Sequence, residues 1–264
     1  MTVASLSERA NFCGQLAQDA GRLAHSAFGA SPTSMKGRHD VVTEMDHEVE
    51  HVVRAAIARR YPGDAIVGEE AGGAASAAGA EFVWIIDPID GTANYARGMA
   101  HYCVSIACLQ GGQPWVGALH DPSHERLYLA ERGGGAWMNG ERLAVSPCAD
   151  LAAASVECGW STRRSTDDYL AVVTRVMHAG CAMRRCGSGA LGLCDVAAGR
   201  IEAYCELHIN SWDCAAGVLL VTEAGGRVND FFTGDAIASG NPLVATNAAL
   251  AETLAAVIGM APVV

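Results

Sequence analysis

Residues 84–95 read WIIDPIDGTANY, in which two carboxylates follow an apolar run and stand three positions apart. A tight turn needs only one Asp and a Gly, so the second acid calls for another explanation. Pro88 fixes its own φ and keeps the preceding residue extended. Asp87 and Asp90 can then point to the same side of the chain. We expect a strand that ends before Asp87 and an acidic loop directly behind it.

The Gly-Thr pair after these acids suits the binding of an anion. Gly91 lets the backbone approach a ligand closely. The amides of Gly91 and Thr92 can face a phosphate group as a small nest. A strand-end turn with two solvated aspartates is the plainer alternative for this stretch alone.

Three further acidic positions stand at the ends of predicted elements. They are GEE at 68–70, DVVTEMD at 40–46, and Asp213 in the first turn of a long apolar helix. Singly, Asp46 could be a helix N-cap, Asp213 a partner of the helix dipole and Glu69 a surface acid. Together they predict a site for hard cations such as Mg²⁺, which bind carboxylates and phosphate oxygens.

The composition limits the class of protein. The chain has 264 residues, half of them hydrophobic, and a net charge of −11 from 18 basic and 29 acidic side chains. This charge argues against a non-specific nucleic-acid binder. No apolar run is long enough to span a bilayer, and we expect no secretory signal. The ten cysteines are scattered without a CxxC pair, which favours buried free thiols in a reducing cytoplasm.

Hydrophobic periodicity predicts a layered α+β fold rather than a doubly wound sheet. Residues 72–80 are expected to form a surface loop, and Ser211 to cap the helix that it begins. Predicted helices span 6–28, 46–61, 167–179, 188–198, 211–224 and 247–257; predicted strands span 65–67, 82–86, 101–109, 115–120, 126–130, 181–186, 201–205 and 243–246.

Taken together, these motifs resemble the inositol monophosphatase family of Mg²⁺-dependent phosphatases. WIIDPIDGTANY is similar to the family's DPIDGT pattern, and WDCAAGVLLVTEAGG is similar to its second signature. GEE and DVVTEMD stand in the family's order, so the resemblance covers nearly the whole chain. It implies a five-layered αβαβα sandwich and a homodimer. It also implies one domain, 1–264, with a metal and phosphate half at 1–147 and a substrate half at 148–264.

The resemblance also implies roles for single residues. Two Mg²⁺ ions would be bound, with a third, weaker ion near Glu69 and with Mn²⁺ as an alternative metal. The metal ligands would be Glu69, Asp87, Asp90, Asp213 and the backbone carbonyl of Ile89, with Asp87 shared by both ions.

Catalysis is expected to depend on Asp46 and Thr92, which would orient and deprotonate the attacking water, and on Glu69. The substrate-binding residues would be Lys36, Asp90, Gly91, Thr92, Gly187, Ser188, Glu206 and Asp213. The stretch 206–210 and Trp160 depart from the family pattern, which leaves selectivity for inositol open.

The predicted function is hydrolysis of a small phosphate monoester such as inositol 1-phosphate. The same chemistry on histidinol phosphate, fructose 1,6-bisphosphate or a 3′-phosphonucleotide is the alternative. A non-catalytic interaction protein on the same fold, for example on the transcription machinery, is a third reading. The expected partner is a small phosphorylated substrate in the cytoplasm, without nucleic acid or membrane.

Overall fold

The computed structural model describes residues 6–37 and 40–260. Its helices are α1 (Glu8–Ser26), α2 (Glu44–Arg60), α3 (Ala74–Ala77), α4 (Thr92–Tyr95), α5 (Thr166–His178), α6 (Gly189–Ala197), α7 (Ser211–Glu223), α8 (Ala236–Ser239) and α9 (Ala251–Ile258), with a 3₁₀ turn at Leu151–Ala153. Its strands are β1 (Thr33–Gly37), β2 (Asp40–Thr43), β3 (Ala65–Gly68), β4 (Phe82–Asp90), β5 (Cys103–Gln110), β6 (Gln113–Asp121), β7 (Arg126–Glu131), β8 (Gly135–Met138), β9 (Glu141–Arg142), β10 (Ser155–Cys158), β11 (Ala182–Arg184), β12 (Ala203–Ile209), β13 (Arg227–Val228) and β14 (Asn241–Thr246).

The strands form two large sheets. The first has the order β3-β4-β5-β6-β7-β8-β9 and is antiparallel except where β3 meets β4. The second has the order β11-β10-β12-β14-β13, and β10 runs parallel to both of its neighbours. A separate antiparallel pair joins β1 to β2. The mixture of strand directions agrees with the predicted α+β class.

Side-chain alternation along the strands divides the molecule into five layers. On β4, Trp84 and Ile86 pack with α1 and α2, whereas Val83 and Ile85 pack with α6 and α7. The second sheet covers the other side of α6 and α7, and its far face packs against α5 and α9. The order is therefore α, β, α, β, α, which confirms the expected sandwich.

The predicted end of the strand at 82–86, just before Asp87, is wrong. β4 continues to Asp90 and stays paired with β5, because a bulge lies between the pairs Asp87–Ser105 and Asp90–Cys103. The bulge accommodates Pro88, which has no N–H to give to a ladder. It also turns the two carboxylates toward the same end of the sheet.

Two helix starts differ from the predictions because a capping box extends each helix. Thr43 caps α2, and Asp46 lies in its first turn rather than at the cap. Asn210, not Ser211, caps α7; the Ser211 hydroxyl instead donates to the carbonyl of Ile237. The predicted loop at 72–80 contains α3, and the closing helix begins at Ala251 instead of 247.

The prediction that the cysteines are mostly buried free thiols is confirmed. All ten cysteines are free thiols, and eight of them are buried. Among residues 6–37 and 40–260, no helix combines the length and the hydropathy that a membrane crossing requires.

The two sheets use separate parts of the chain, since the first ends at Arg142 and the second begins at Ser155. We keep the division into halves at 147 and 148 as a proposal. The ends of β3 and β4 and the N-termini of α6 and α7 meet at one edge of this arrangement, where the predicted metal ligands lie.

Candidate active site

Asp87 lies in the β4 bulge and is almost fully buried. Its Oδ1 accepts a hydrogen bond from the Ile89 amide at 3.0 Å, while its Oδ2 is buried without a hydrogen-bond partner in the described structure. Burial, followed by the charges of Glu69, Asp90 and Asp213, raises the pKa of Asp87 well above its ordinary value. A buried and unpaired carboxylate oxygen is costly unless a cation neutralises it.

Asp87 belongs to a group of three carboxylates that lie close together. One oxygen atom from each of Glu69, Asp87 and Asp213 lies within 4.8 Å of the other two. Carboxylate oxygens are the ligands that Mg²⁺ and Mn²⁺ prefer. The donor set and the unsatisfied oxygen of Asp87 together fit a divalent metal ion at this position.

Asp213 is positioned by the start of α7. Its Oδ2 accepts hydrogen bonds from the amide of Asn210 at 3.1 Å and from the Asn210 side chain at 3.0 Å. Arg163 donates to the Asn210 side-chain oxygen at 2.6 Å. Burial raises the pKa of Asp213, although these hydrogen bonds act in the opposite direction. The capping box therefore orients one oxygen of Asp213 and leaves the other for the site.

Asp90 is held by the start of α6. Its Oδ2 accepts hydrogen bonds from the Ser188 hydroxyl and from the Ala190 amide, the latter at 2.9 Å. Burial, and then the charge of Asp213, raises the pKa of Asp90 to about 7. The close group of three oxygens does not include Asp90, so its role as a metal ligand stays a prediction.

We expect Ser188→Ala to weaken Mg²⁺ binding by about 10–100-fold, the usual effect of removing a hydrogen bond that orients a metal ligand. Titration calorimetry of the purified variant would measure this. Ser26→Ala, at an exposed position in the last turn of α1, is the control and should bind Mg²⁺ as the native protein does. Unchanged affinity in Ser188→Ala would show that Asp90 does not need the hydrogen bond from the Ser188 hydroxyl.

A Thr-Asp pair lies beside the carboxylates. The Thr92 hydroxyl is 2.8 Å from the Ile89 carbonyl and 3.2 Å from Asp46 Oδ1. Asp46 is fully buried, and its Oδ2 accepts from the Thr43 amide at 2.8 Å and from the Thr43 hydroxyl at 2.6 Å. Burial is the main cause that raises the pKa of Asp46. Because Thr92 has one hydroxyl proton, it donates either to the carbonyl or to the acid.

Gly91 is required by its backbone conformation. Its φ is +91°, and a Cβ at this position would lie 2.9 Å from the carbonyl of His101. The left-handed turn carries the chain from β4 into α4.

Five of the predicted substrate residues, Asp90, Gly187, Ser188, Glu206 and Asp213, line two adjoining spaces, whereas Gly91 and Thr92 are not among the lining residues. A cleft of about 1190 Å³ includes Glu69, Asp213 and Glu206 in its walls, together with Trp160. A smaller pocket of about 170 Å³ is bordered by Gly187, Ser188, Glu206 and the acids Asp90 and Asp213. The Lys36 side chain lies outside the described residues.

Glu206 borders both spaces. Its Oε2 accepts a hydrogen bond from the Tyr204 hydroxyl at 2.6 Å. Burial is the first cause that raises the pKa of Glu206 to about 8, with Asp213 and Asp90 adding to it. Its role as a substrate contact stays a prediction.

Two supporting residues were not found from the sequence. The Asn94 side chain donates to the carbonyls of His101 at 2.8 Å and Cys186 at 3.0 Å, which joins the Gly91 turn to the turn before α6. Its place in the WIIDPIDGTANY motif was the available signal. Glu50 accepts hydrogen bonds from the amides of Glu70 at 2.8 Å and Ala71 at 3.0 Å, and so holds the loop that carries Glu69. In the sequence Glu50 is one acid among several on a polar helix, so no local signal identified it.

Without metal, the protein is expected to lose stability as the pH rises from about 5.5 to about 7.5. The pKa of Asp90 is raised to about 7 in the folded state, against about 3.9 in an unfolded chain. Its contribution to the free energy of unfolding is present below about pH 4 and is lost as the pH rises through the folded value. Asp90→Asn should remove the part of this dependence that Asp90 contributes, while the other buried acids with raised pKa values keep theirs.

Thermal denaturation in the presence of a chelator measures the effect. The Tm difference between Asp90→Asn and the native protein should grow by about 2–4 °C over this pH range. If the Tm of both proteins changed with pH in the same way, the raised pKa would not belong to Asp90.

Comparison with known proteins agrees with this geometry. The model of the inositol monophosphatase family matches residues 5–260. The Nus factor SuhB of Pseudomonas aeruginosa is 41% identical over 201 residues, which cover 74% of each chain. The inositol-1-monophosphatase of Mesorhizobium japonicum is 36% identical over 245 residues, or 91% of this chain and 92% of that protein.

Among solved structures, the extragenic suppressor protein suhB from Bartonella henselae superposes with a TM-score of 0.87. The two chains are 31% identical, and the match covers 96% of this chain and 98% of the other. Sequence motifs, fold and the converging carboxylates thus point in one direction, and the chain belongs to the inositol monophosphatase family.

Proposed function

We propose that this protein is a metal-dependent phosphatase that hydrolyses a small phosphate monoester, such as inositol 1-phosphate, by attack of water. The observation that carries the proposal is the cluster of Glu69, Asp87 and Asp213, in which Asp87 has a buried oxygen without a hydrogen-bond partner among the described residues. Thr92 and Asp46 are hydrogen-bonded to each other next to it in the chain fold. The family match and the relative named inositol-1-monophosphatase support it.

In the proposal, Glu69, Asp87, Asp90, Asp213 and the Ile89 carbonyl hold Mg²⁺, with Mn²⁺ as an alternative. When bound, such ions lower the pKa of water and stabilise charge on a phosphate group. Their ligands are all oxygens, as hard cations require.

The remaining chemistry belongs to side chains of this protein. If the Thr92 hydroxyl donates its proton to Asp46 Oδ1, its lone pair is free to accept a hydrogen bond from the attacking water. Asp46 is then the group that takes up the proton, and its raised pKa makes it a better base than a solvated aspartate. The amides of Gly91 and Thr92 are assigned to the phosphate oxygens.

Selectivity is assigned to the substrate half. Gly187, Ser188 and Glu206 border the smaller pocket, where the alcohol part of the ester would lie. Lys36 stays a proposed phosphate contact. A homodimer without nucleic-acid or membrane partners also remains part of the proposal.

Phosphate release in Mg²⁺ or in chelator tests the function. The panel contains inositol 1-phosphate, histidinol phosphate, fructose 1,6-bisphosphate and 3′-phosphoadenosine 5′-phosphate. We expect release that requires metal and favours one substrate. The absence of release from every substrate by folded, metal-loaded protein would contradict the proposal.

A second candidate function comes from the name of the Pseudomonas aeruginosa relative, Nus factor SuhB. The protein would then also act as a Nus factor, through binding to a partner. The 41% identity to that protein favours it. It does not compete with catalysis, because both roles can be present in one chain. Loss of the binding role in a variant that keeps full phosphatase activity would separate the two.

A further inference from the structure

Asn210 stands between a carboxylate of the candidate metal site and an arginine from another part of the chain. Its backbone amide and its side-chain nitrogen donate to Asp213 Oδ2 at 3.1 and 3.0 Å. Its side-chain oxygen accepts a hydrogen bond from the Arg163 guanidinium at 2.6 Å. Asp213 belongs to the group of three carboxylates with Glu69 and Asp87, so the guanidinium is linked to this group through a single side chain.

The chemistry of the three groups allows one orientation of the Asn210 side chain. A carboxylate only accepts hydrogen bonds, and a guanidinium only donates them. With its NH₂ group toward Asp213 and its oxygen toward Arg163, the amide satisfies both neighbours. The rotated amide would place oxygen against the carboxylate and NH₂ against the guanidinium, and both hydrogen bonds would be lost. Arg163 therefore holds the amide in the orientation that bonds to Asp213.

Arg163 comes from a part of the chain remote from α7. It lies in the segment 159–165, between the end of β10 and the start of α5, whereas Asn210 directly precedes α7. Arg163, Asn210 and Asp213 all line the cleft of about 1190 Å³. The guanidinium thus joins one wall of the cleft to the start of the helix that carries Asp213.

The charge of Arg163 acts against a metal ion, because a guanidinium repels Mg²⁺. Arg163 is exposed, so water and salt screen this repulsion. A hydrogen bond that orients a metal ligand from outside the ligand set commonly changes metal affinity by about 10–100-fold. We therefore expect the orienting effect to exceed the repulsion. The two effects differ in sign, so a measured change in affinity tells them apart.

We propose that Arg163 is a positioning residue for the metal site and acts on Asp213 through the Asn210 side chain. The inference rests on the proposed phosphatase function and adds a residue outside its set of metal ligands. Removal of the guanidinium leaves the Asn210 amide free to rotate, and Asp213 loses part of its support. Affinity for the metal then falls, even though a repelling charge has gone.

Calorimetric titration of the metal-free protein with Mg²⁺ tests the inference without turnover. Arg163→Met keeps the aliphatic stem of the side chain and removes its charge and its hydrogen-bond donors. We expect it to bind Mg²⁺ about tenfold more weakly than the native protein. Arg163→Lys can donate to the same oxygen and should stay within about threefold of the native affinity.

Arg164→Met is the matched control, because it removes the same charge from the next residue of the exposed segment. It should bind Mg²⁺ as tightly as the native protein or slightly more tightly. Asn210→Ala alone and Asn210→Ala combined with Arg163→Met should weaken binding equally, because Arg163 acts through Asn210. Thermal denaturation of each metal-free variant verifies that it is folded.

Kinetics supply a second readout. In Arg163→Met, the Mg²⁺ concentration for half-maximal phosphate release should rise about tenfold, with little change in kcat at saturating Mg²⁺. A general loss of structure would lower kcat as well. A lower kcat at saturating Mg²⁺, with an unchanged Mg²⁺ requirement, would contradict the positioning role.

The outcomes separate the two proposals. Unchanged or tighter binding of Mg²⁺ by Arg163→Met, or additive losses in the double variant, would overturn the role of Arg163 and leave the phosphatase function intact. If the native protein binds Mg²⁺ but hydrolyses no phosphate ester, the proposed function fails and calorimetry still decides the role of Arg163. If the native protein binds neither Mg²⁺ nor Mn²⁺, both proposals are wrong.

Discussion

Replacing Asp87 with asparagine is expected to lower metal-dependent phosphate release by at least about 10³-fold. Asparagine keeps the shape of the side chain but removes the charge at the oxygen that the fold leaves without a partner. Loss of the central ligand should cost several kcal/mol of transition-state stabilisation, and each 1.36 kcal/mol changes the rate about tenfold. Phosphate release at saturating Mg²⁺ measures the effect.

The same substitution should make the metal-free protein more stable. Asp87 is buried against the charges of Glu69, Asp90 and Asp213, which raise its pKa and destabilise its ionised form. Asp87→Asn should therefore raise the Tm in chelator and abolish the Tm increase that Mg²⁺ produces in the native protein. Lower activity with a lower Tm would indicate misfolding instead of a lost ligand.

Asp230→Asn is the control, because Asp230 is an exposed acid outside the site. It should leave both the activity and the response to Mg²⁺ unchanged. If Asp87→Asn kept more than a tenth of the native activity, Asp87 would not be the central metal ligand.

Removing the Thr92 hydroxyl is expected to lower kcat by about 10²–10³-fold with little change in KM. Thr92→Val keeps the branched shape but breaks the hydrogen bonds to the Ile89 carbonyl and to Asp46 Oδ1. General-base catalysis by a positioned side chain commonly contributes about 10²–10⁴-fold. Steady-state kinetics across pH would measure kcat and KM separately.

Thr92→Ser is the matched control, since it restores the hydroxyl in a smaller side chain and should recover most of the rate. Asp46→Asn should resemble Thr92→Val, because the two residues act as one unit. Equal loss in Thr92→Ser and Thr92→Val would show that the methyl group matters and the hydroxyl does not. An increase in KM alone would assign Thr92 to phosphate binding.

Local sequence patterns were sufficient where one short segment supplies both the element and the chemistry. The apolar run before Asp87 indicated a buried strand, and the observed β4 is buried from Val83 to Asp90. The same patterns misplaced the strand end, because a bulge can keep a strand paired through Pro88 when the partner strand is long enough. The register of β5 is not encoded in the β4 residues.

The supporting residues depended on contacts between distant segments. Glu50 in α2 holds the loop of Glu69, and Ser188 at the start of α6 holds Asp90. Glu50 is an ordinary polar residue in its own stretch of sequence, and Ser188 was predicted to bind substrate, not to support Asp90. Only the packing of the helices between and beside the sheets brings them to the acids they orient.

The sequence by itself determined the class of fold and the kind of chemistry. A local pattern can report interactions between residues that are close in the chain. The periodicity of strands and helices, the acids at the ends of elements and the Gly-Thr turn are all of this kind. The tertiary structure alone decided that carboxylate oxygens of Glu69 and Asp213 lie within 4.8 Å of one from Asp87, and that Asp87 Oδ2 is buried without a hydrogen-bond partner among the described residues. Such features arise because the sheets and the helices between them exclude water from groups far apart in sequence, and only the complete packing shows which groups have found partners.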